Sequence, residues 1–272
     1  LQINHSGDVN ANNDERNETF QYVPNTALWI VDKPIRYLLT SNNNTLMREV
    51  NYSYDNLPYG SIPVKGSLTR TVESISKGKT AITLYGYNSN GNMINITDSN
   101  NRTTNYTYGT IDTTFTYPDQ ETNAKSHITK YRYDLGLGKI TLINDSNGFS
   151  VNYTYDVLGR ISKEIRPFDS PTYPTKQYEY ENDGTAPERI KVLQREQSET
   201  ISTFDTFQFI DGLGNVIQTK KESNSSQIII DIVYDGVGRI STRSNPYKST
   251  FTENYTQPSA TVNFTNFTYD PM

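Results

Sequence analysis

Short stretches of alternating aromatic and polar residues recur along the chain, and each of them ends at a turn that contains glycine. In the stretch 152–155, Tyr153 and Tyr155 are two positions apart, so a strand places both rings on one face. Asn152 and Thr154 then lie on the other face. This pattern predicts a β-strand with one aromatic face and one polar face.

The residues after this strand are those that a tight hairpin turn requires. Asp156 occupies the first turn position, where the carboxylate can bond the backbone two residues on, and Gly159 occupies the fourth. A type I turn followed by a left-handed glycine closes a hairpin with a G1 bulge. Arg160 and Ile161 therefore begin the returning strand, which we expect to run through Ile165.

The same unit recurs at intervals of about 22 to 25 residues, a period that indicates a repeat architecture. The equivalent turn residues are Asn88 and Gly91, Asp211 and Gly214, Asp235, Gly238 and Arg239, and, with one additional residue, Asp134 and Gly138. We predict left-handed backbone at Gly91, Gly159, Gly214 and Gly238. Apart from 187–197, which is compatible with a short helix, no segment of a dozen residues has helical periodicity. The chain is therefore predicted to be all-β, with antiparallel hairpins forming a curved sheet.

Polarity divides the chain into three parts. Residues 1–18 are polar, rich in Asn and aperiodic, and predict a flexible arm. Residues 19–50 predict a leading β segment whose two strands are interrupted at Lys33-Pro34, because proline cannot donate to a ladder. Residues 51–272 carry the hairpin units, and Tyr269-Asp270 begins one more, so we expect a fragment of a larger protein.

These motifs resemble the RHS/YD-repeat family. The Tyr-Asp-x-x-Gly-Arg core at 155–160 and its counterparts carry the resemblance over residues 50–247, and 31–34 is similar to the lead-in of toxin-complex and SpvB-like members. The resemblance implies a sheet that spirals into a hollow shell, as in toxin-complex cocoons, bacterial RHS toxins and teneurins. It also implies two partners, the remainder of a larger chain and an enclosed C-terminal effector.

Composition favours a sheet over a compact globule. Only 33% of the residues are hydrophobic, and 21 Tyr and 10 Phe accompany a single Trp, so cross-strand aromatic pairs must supply much of the buried area. A net charge of −5 provides no basic field for nucleic acid. Cysteine is absent, and no apolar run approaches the 18 residues of a membrane span.

We predict no catalytic, cofactor-binding or metal-binding residues. His5 and His127 have no neighbours at metal-ligand spacing. The turn position explains the repeated aspartates without a calcium-binding role. Arg160 and Arg239 are expected to pair with nearby acids along the sheet.

Asn-x-Ser/Thr sequons occur about twice as often as this composition would give by chance. Those with an aromatic or aliphatic middle residue are the candidate glycosylation sites Asn51, Asn95, Asn105, Asn152, Asn254, Asn263 and Asn266. On a strand, the Asn and the Ser or Thr share one face and the ring occupies the other. Glycans would then mark an outer face opposite Tyr52, Tyr106, Tyr153 and Phe267. Alternatively, an Asn-rich and Thr-rich sequence produces accidental matches.

We interpret the chain as a non-catalytic section of a secreted or cell-surface β-shell that encloses or displays another polypeptide. One alternative is a glycosylated adhesion or self-assembling scaffold at the cell surface. A minor alternative is a carbohydrate-binding module that uses exposed tyrosines as sugar platforms.

Overall fold

The structure is a computed structural model that describes residues 1–5, 15–76, 78–181, 184–198, 200–259 and 261–270. Its regular elements in these ranges are all β-strands, which confirms the all-β prediction. The chain forms two compact units, Leu1–Arg132 and Tyr133–Met272.

In the first unit, each strand pairs antiparallel with the next along the chain. The strands are β1 (Gln2–His5), β2 (Arg16–Tyr22), β3 (Pro34–Ser41), β4 (Leu46–Tyr54), β5 (Leu68–Ser76), β6 (Lys79–Tyr87), β7 (Met93–Thr97), β8 (Thr103–Thr107), β9 (Gln120–Thr122) and β10 (Ile128–Asp134), which runs into the second unit.

In the second unit, strands β11 to β18 continue this sequential antiparallel pairing. The strands are β11 (Lys139–Asn144), β12 (Ser150–Tyr155), β13 (Ile161–Ile165), β14 (Lys176–Glu181), β15 (Glu188–Arg195), β16 (Thr203–Ile210), β17 (Val216–Ser223), β18 (Ser226–Tyr234), β19 (Ile240–Ser244), β20 (Tyr247–Thr250) and β21 (Phe264–Asn266).

The sheet of the second unit forks at β18. The first part of this strand, 226–229, pairs with β20, whereas its last part, 232–234, pairs with β19. Strand β19 in turn pairs with β21. The segment 251–258, which we call the strap, lies between β20 and β21 in the chain, so both of its ends are attached to this sheet.

The predicted hairpin turns are present with the predicted backbone. Gly91, Gly159, Gly214 and Gly238 have φ of 84°, 75°, 89° and 83°, and Gly138 has φ of 64°. The strand register also shifts by one residue beside the turns of Gly91, Gly159, Gly214 and Gly238, for example between Thr154 and Tyr155. The turn predictions for these glycines are confirmed.

Strand register separates two faces of the second unit. Tyr153 on β12 lies opposite Glu164 on β13. Tyr178 on β14 lies opposite Val192 on β15, which in turn lies opposite Thr206 on β16. These side chains lie on one face of the sheet, which we call the tyrosine face. The opposite face of β15 to β18 contains Phe207 and Ile229, which are 0% and 1% exposed. Burial in this unit is therefore strongest on the side away from the tyrosines.

The flexible arm predicted over residues 1–18 is wrong at both of its ends. Gln2–His5 form β1, which pairs with β2 through residues such as Ile3 and Glu18. Residues 6–14 lie outside the described part of the chain. A polar sequence forms these strands because main-chain pairing with β3, the neighbour of β2, needs no apolar side chains.

Two further local expectations differ from the structure. Trp29 falls within the predicted leading β segment, 19–50, but it has φ of 57° and an exposure of 80% in the turn between Asn25 and Ile30. The stretch 187–197 contains strand β15, because its pairing with β14 and β16 outweighs the local helical tendency.

Replacement of Gly214 by valine should lower the free energy of unfolding by about 1–2 kcal/mol, because a β-branched residue is strained at positive φ. No atom would clash with an added Cβ, so the effect should come from the backbone alone. Gly212→Val, in the same turn but without positive φ, is the matched control. Denaturant unfolding measures both variants, and equal destabilisation would contradict the turn argument.

Candidate functional site

The hairpin turn is stabilised by the side chain of its first residue. The carboxylate of Asp156 accepts the amides of Leu158 and Arg160 at 2.9 and 2.8 Å, and its second oxygen accepts Nε of Arg160 at 2.7 Å. Asp235 holds its turn in the same way with Val237 and Arg239. The prediction that Arg160 and Arg239 pair with nearby acids is therefore confirmed, and each partner is the aspartate of the same turn.

The same turn also occurs where the sequence analysis did not place it. Its first residue is Asp98, Asn123 or Asp145, and each side chain accepts two backbone amides. The left-handed position is occupied by Asn101 or Ser126 in two of these turns, so glycine alone was too narrow a signal. An Asp or Asn followed three residues later by Gly, Asn or Ser would have found them.

At or just after the end of several strands, a tyrosine hydroxyl bonds a carbonyl near the start of a neighbouring strand in the sheet. The hydroxyl of Tyr155 donates to the carbonyl of Ile140 at 2.6 Å, and that of Tyr180 donates to Ile161 at 2.9 Å. The same contact is made by Tyr54 to Pro34, Tyr87 to Leu68, Tyr108 to Met93, Tyr234 to Val216 and Tyr269 to Ile240. We call this recurring hydrogen bond the tyrosine clamp.

Burial accompanies the clamp. It raises the pKa of Tyr155 and Tyr180, and it raises the pKa of Tyr54 to about 12. These phenols therefore remain protonated and able to donate throughout the neutral range. The aromatic residue next to the turn Asp thus has a structural role that its sequence position alone did not reveal.

The arginine of the turn links one repeat to the next. The guanidinium of Arg160 lies 4.1 Å from the ring centre of Tyr180, and that of Arg239 lies 4.5 Å from Tyr269. In both cases the same arginine is bound to its turn aspartate. An ion pair, a cation–π contact and a tyrosine clamp therefore join successive units in a chain of neighbouring interactions.

The face of β15 to β18 beneath the strap is unusual because its buried side chains are mainly polar. Gln218, Lys220, Gln227 and Asp231 are each 0% exposed. Nε2 of Gln218 donates to Asp231 at 2.6 Å, and the hydroxyl of Tyr247 donates to the other carboxylate oxygen at 2.8 Å. Burial in this setting and the bond to Asp231 raise the pKa of Tyr247 to about 12.

The strap crosses this face and is bound through its main chain. Gln227 accepts the amide of Thr252 at 3.2 Å, and Lys220 donates to the carbonyl of Asn254. Gln218 accepts the amide of Thr256 at 3.3 Å and donates to the carbonyl of the same residue at 2.7 Å. Thr252, Asn254 and Thr256, every second residue in this part of the strap, are therefore each held by a side chain of β17 or β18.

The intervening strap residues contact β15 and β16 through their side chains. Phe251 packs edge-on against Phe207 with ring centres 6.1 Å apart, and Tyr255 packs similarly against Phe209 at 5.7 Å. Glu253 lies between them and binds Lys191 at 2.8 Å and Arg189 at 3.3 Å.

The charges around Glu253 reinforce one another. The bond from Lys191 is the main cause that lowers the pKa of Glu253. Burial alone would lower the pKa of Lys191, but its bonds to Glu253 and Asp205 outweigh burial and raise it. Lys220 differs, since burial lowers its pKa to about 8 despite the nearby carboxylate of Asp231.

The candidate glycosylation sites occupy two kinds of position. Asn105, Asn254, Asn263 and Asn266 are exposed, whereas Asn51, Asn95 and Asn152 are half-buried. Opposite the sequons, Tyr52, Tyr106 and Tyr153 are half-buried, and Phe267 is exposed. Whether these asparagines carry glycans remains a prediction.

The described residues show little else that could carry chemistry. Within them, no group of three or more His, Cys, Asp or Glu side chains is placed to hold a metal ion. His5 contacts Glu18 at 3.2 Å, and the amide of His127 belongs to the Asn123 turn. No helix in the described ranges is long and apolar enough to cross a membrane.

Solved structures with this fold are much longer chains. A crystal structure of TcdB2-TccC3 matches with a TM-score of 0.66 and 10% identity, over 86% of this chain and 18% of that chain. The fold is RHS-like. A structure of TcdB2-TccC3-TEV matches with a TM-score of 0.63 and 10% identity, over 86% of this chain and 20% of that chain. A crystal structure of TcdB2-TccC3 without its hypervariable C-terminal region matches with a TM-score of 0.53 and 12% identity. The match covers 92% of this chain and 14% of that chain.

Comparison of the sequence with protein-family models gives a match only in the C-terminal part of the chain. A family model described as a domain of unknown function, DUF6443, matches residues 185–271, the region of the forked sheet and the strap. No curated protein matches the chain. The similarity to the solved structures therefore concerns the fold, and the chain spans a fifth or less of their length.

Replacement of Tyr155 by phenylalanine should lower the free energy of unfolding by about 0.5–1.5 kcal/mol, because the clamp to the Ile140 carbonyl is lost. Tyr153→Phe, two residues earlier on the same face, is the matched control because it removes a hydroxyl outside the clamp. Denaturant unfolding distinguishes them. The clamp would lose its proposed importance if both variants were destabilised equally.

Stability should rise between pH 8 and pH 10 through the titration of Lys220. Its folded pKa of about 8 lies below the ordinary value of 10.5, so in this range the unfolded chain binds a proton that the folded chain has released. The cost of burying the charge is therefore present below pH 8 and disappears as the pH rises. Urea unfolding of Lys220→Met should lack this rise, whereas the exposed control Lys221→Met should retain it. Parallel pH profiles for all three proteins would refute the assignment.

Proposed function

We propose that this chain is a non-catalytic section of the wall of a secreted RHS-type β-shell that encloses another polypeptide. The observation that carries the proposal is the fold likeness to TcdB2-TccC3, in which 86% of this chain aligns with a small part of a far longer chain. In this interpretation the remainder of a longer protein completes the wall.

The local interactions support a structural role. Turns held by Asp or Asn fix many of the hairpins, and tyrosine clamps connect seven strands to a neighbouring strand. Such nearest-neighbour coupling allows a sheet to extend through many repeats without a large aliphatic core. A wall needs this property, and it requires no catalytic group.

A second candidate is a glycosylated scaffold at the cell surface. It is favoured by the exposed sequon residues Asn105, Asn254, Asn263 and Asn266. In a scaffold both faces of the sheet would meet solvent, whereas in a closed shell only one face would do so.

Two single-cysteine variants on one strand distinguish these functions. Ile228 and Val233 both lie on β18, are 41% and 45% exposed, and occupy opposite faces because they are five positions apart on a strand whose side chains alternate. The sequence contains no cysteine, so each substitution introduces the single thiol of this region. Ile228→Cys and Val233→Cys should be made in the full-length protein.

The shell predicts that a small maleimide labels both cysteines, whereas a maleimide carrying a large poly(ethylene glycol) labels only one of them. After denaturation the large reagent should label both, which controls for thiol reactivity. Equal labelling of both native variants by the large reagent would contradict enclosure and favour the open scaffold.

A further inference from the structure

The strap contacts have the character of peptide recognition. Three side chains, Gln227, Lys220 and Gln218, bind main-chain atoms of Thr252, Asn254 and Thr256. Main-chain bonds at every second residue recognise an extended backbone whatever its side chains are. The floor of this face thus fits an extended peptide in general.

Specificity comes from the residues between these bonds. Phe251 packs against Phe207, and Tyr255 packs against Phe209. The carboxylate of Glu253 forms ion pairs with Arg189 and Lys191. The face therefore selects a peptide with an aromatic residue, an acidic residue and a second aromatic residue at alternate positions.

The charge of the face favours an acidic occupant. Without the strap, Arg189 would keep Glu181, Lys191 would keep Asp205 and Lys220 would lie near Asp231, but Arg189 and Lys191 would both lose the carboxylate of Glu253 that they share. The polar side chains that bind the strap would be hydrated after its departure. Opening this interface therefore costs less than opening an apolar one of the same area.

One buried group shows that the strap does not use every bonding position. Nε2 of Gln227 has no hydrogen-bond partner within the described part of the chain, although the residue is fully buried beside the strap. A buried amide donor without a partner is costly. A carbonyl placed slightly differently by another peptide would satisfy this donor.

We infer that the strap-covered face of β15 to β18 is a binding site for extended peptides of the pattern aromatic–x–acidic–x–aromatic. Residues 251–256 occupy the site as a ligand supplied by the same chain. A peptide of this pattern from another molecule can replace them when their hold is weakened. This inference does not depend on the enclosure of a polypeptide by the shell.

The test uses the full-length protein carrying Glu253→Lys and a fluorescent synthetic peptide with the sequence of residues 249–258. The substitution places a cation beside Arg189 and Lys191 and loosens the strap at a position that is partly exposed. Fluorescence anisotropy should show binding to the variant about tenfold or more tighter than to the natural protein, whose site is filled.

Two matched controls make the result specific. A peptide with the acidic residue changed to lysine should bind the variant about tenfold or more weakly than the natural peptide. Adding Arg189→Ala to the variant should weaken binding of the natural peptide, whereas adding Arg243→Ala on β19 should leave it unchanged. Circular dichroism and a cooperative melting transition establish that each protein is folded.

Absence of binding to a folded Glu253→Lys protein would overturn the inference, and so would equal binding of the two peptides. If that variant does not fold, Tyr255→Ala replaces it, because this change removes one ring contact and introduces no charge. The same peptide pair is then applied with the same criteria.

Discussion

The register of the hairpins is the constraint on which the rest of this structure depends. In a sheet with two different faces, a slip of one residue would exchange the faces of every following side chain. The turn that prevents this slip combines an Asp or Asn that accepts two amides with a residue at positive φ, as in Asp156 and Gly159. Because the turn fixes the register, a tyrosine beside it, such as Tyr155, lies at a fixed position.

The tyrosine clamp and the turn arginine convert fixed hairpins into a continuous array. Arg160 illustrates this, since it binds Asp156 in its own turn and lies over Tyr180 in the next unit. Each contact is modest in free energy, because the groups are partly exposed. Their repetition explains how a chain with only 33% hydrophobic residues extends an ordered sheet.

The C-terminal region follows a different principle. Its fully buried Gln218, Lys220 and Asp231 are stabilised by specific partners rather than by apolar packing. Because a buried polar group is costly without its partner, these bonds favour one arrangement of the chain. Here the arrangement that they select is the path of the strap across β15 to β18.

The sequence by itself determined the hairpins, because an Asp-x-x-Gly turn, a bulge and a two-residue alternation all act within a few residues of one another. It also determined that Tyr153 and Tyr155 share a face, since strand geometry requires it. Only the tertiary structure decided the fork at β18, the pairing of β1 with β2 and the position of the strap. These features depend on partners distant in the sequence, such as Gln218 and Thr256, and on bonds to main-chain atoms, which every residue possesses and which therefore leave no sequence pattern.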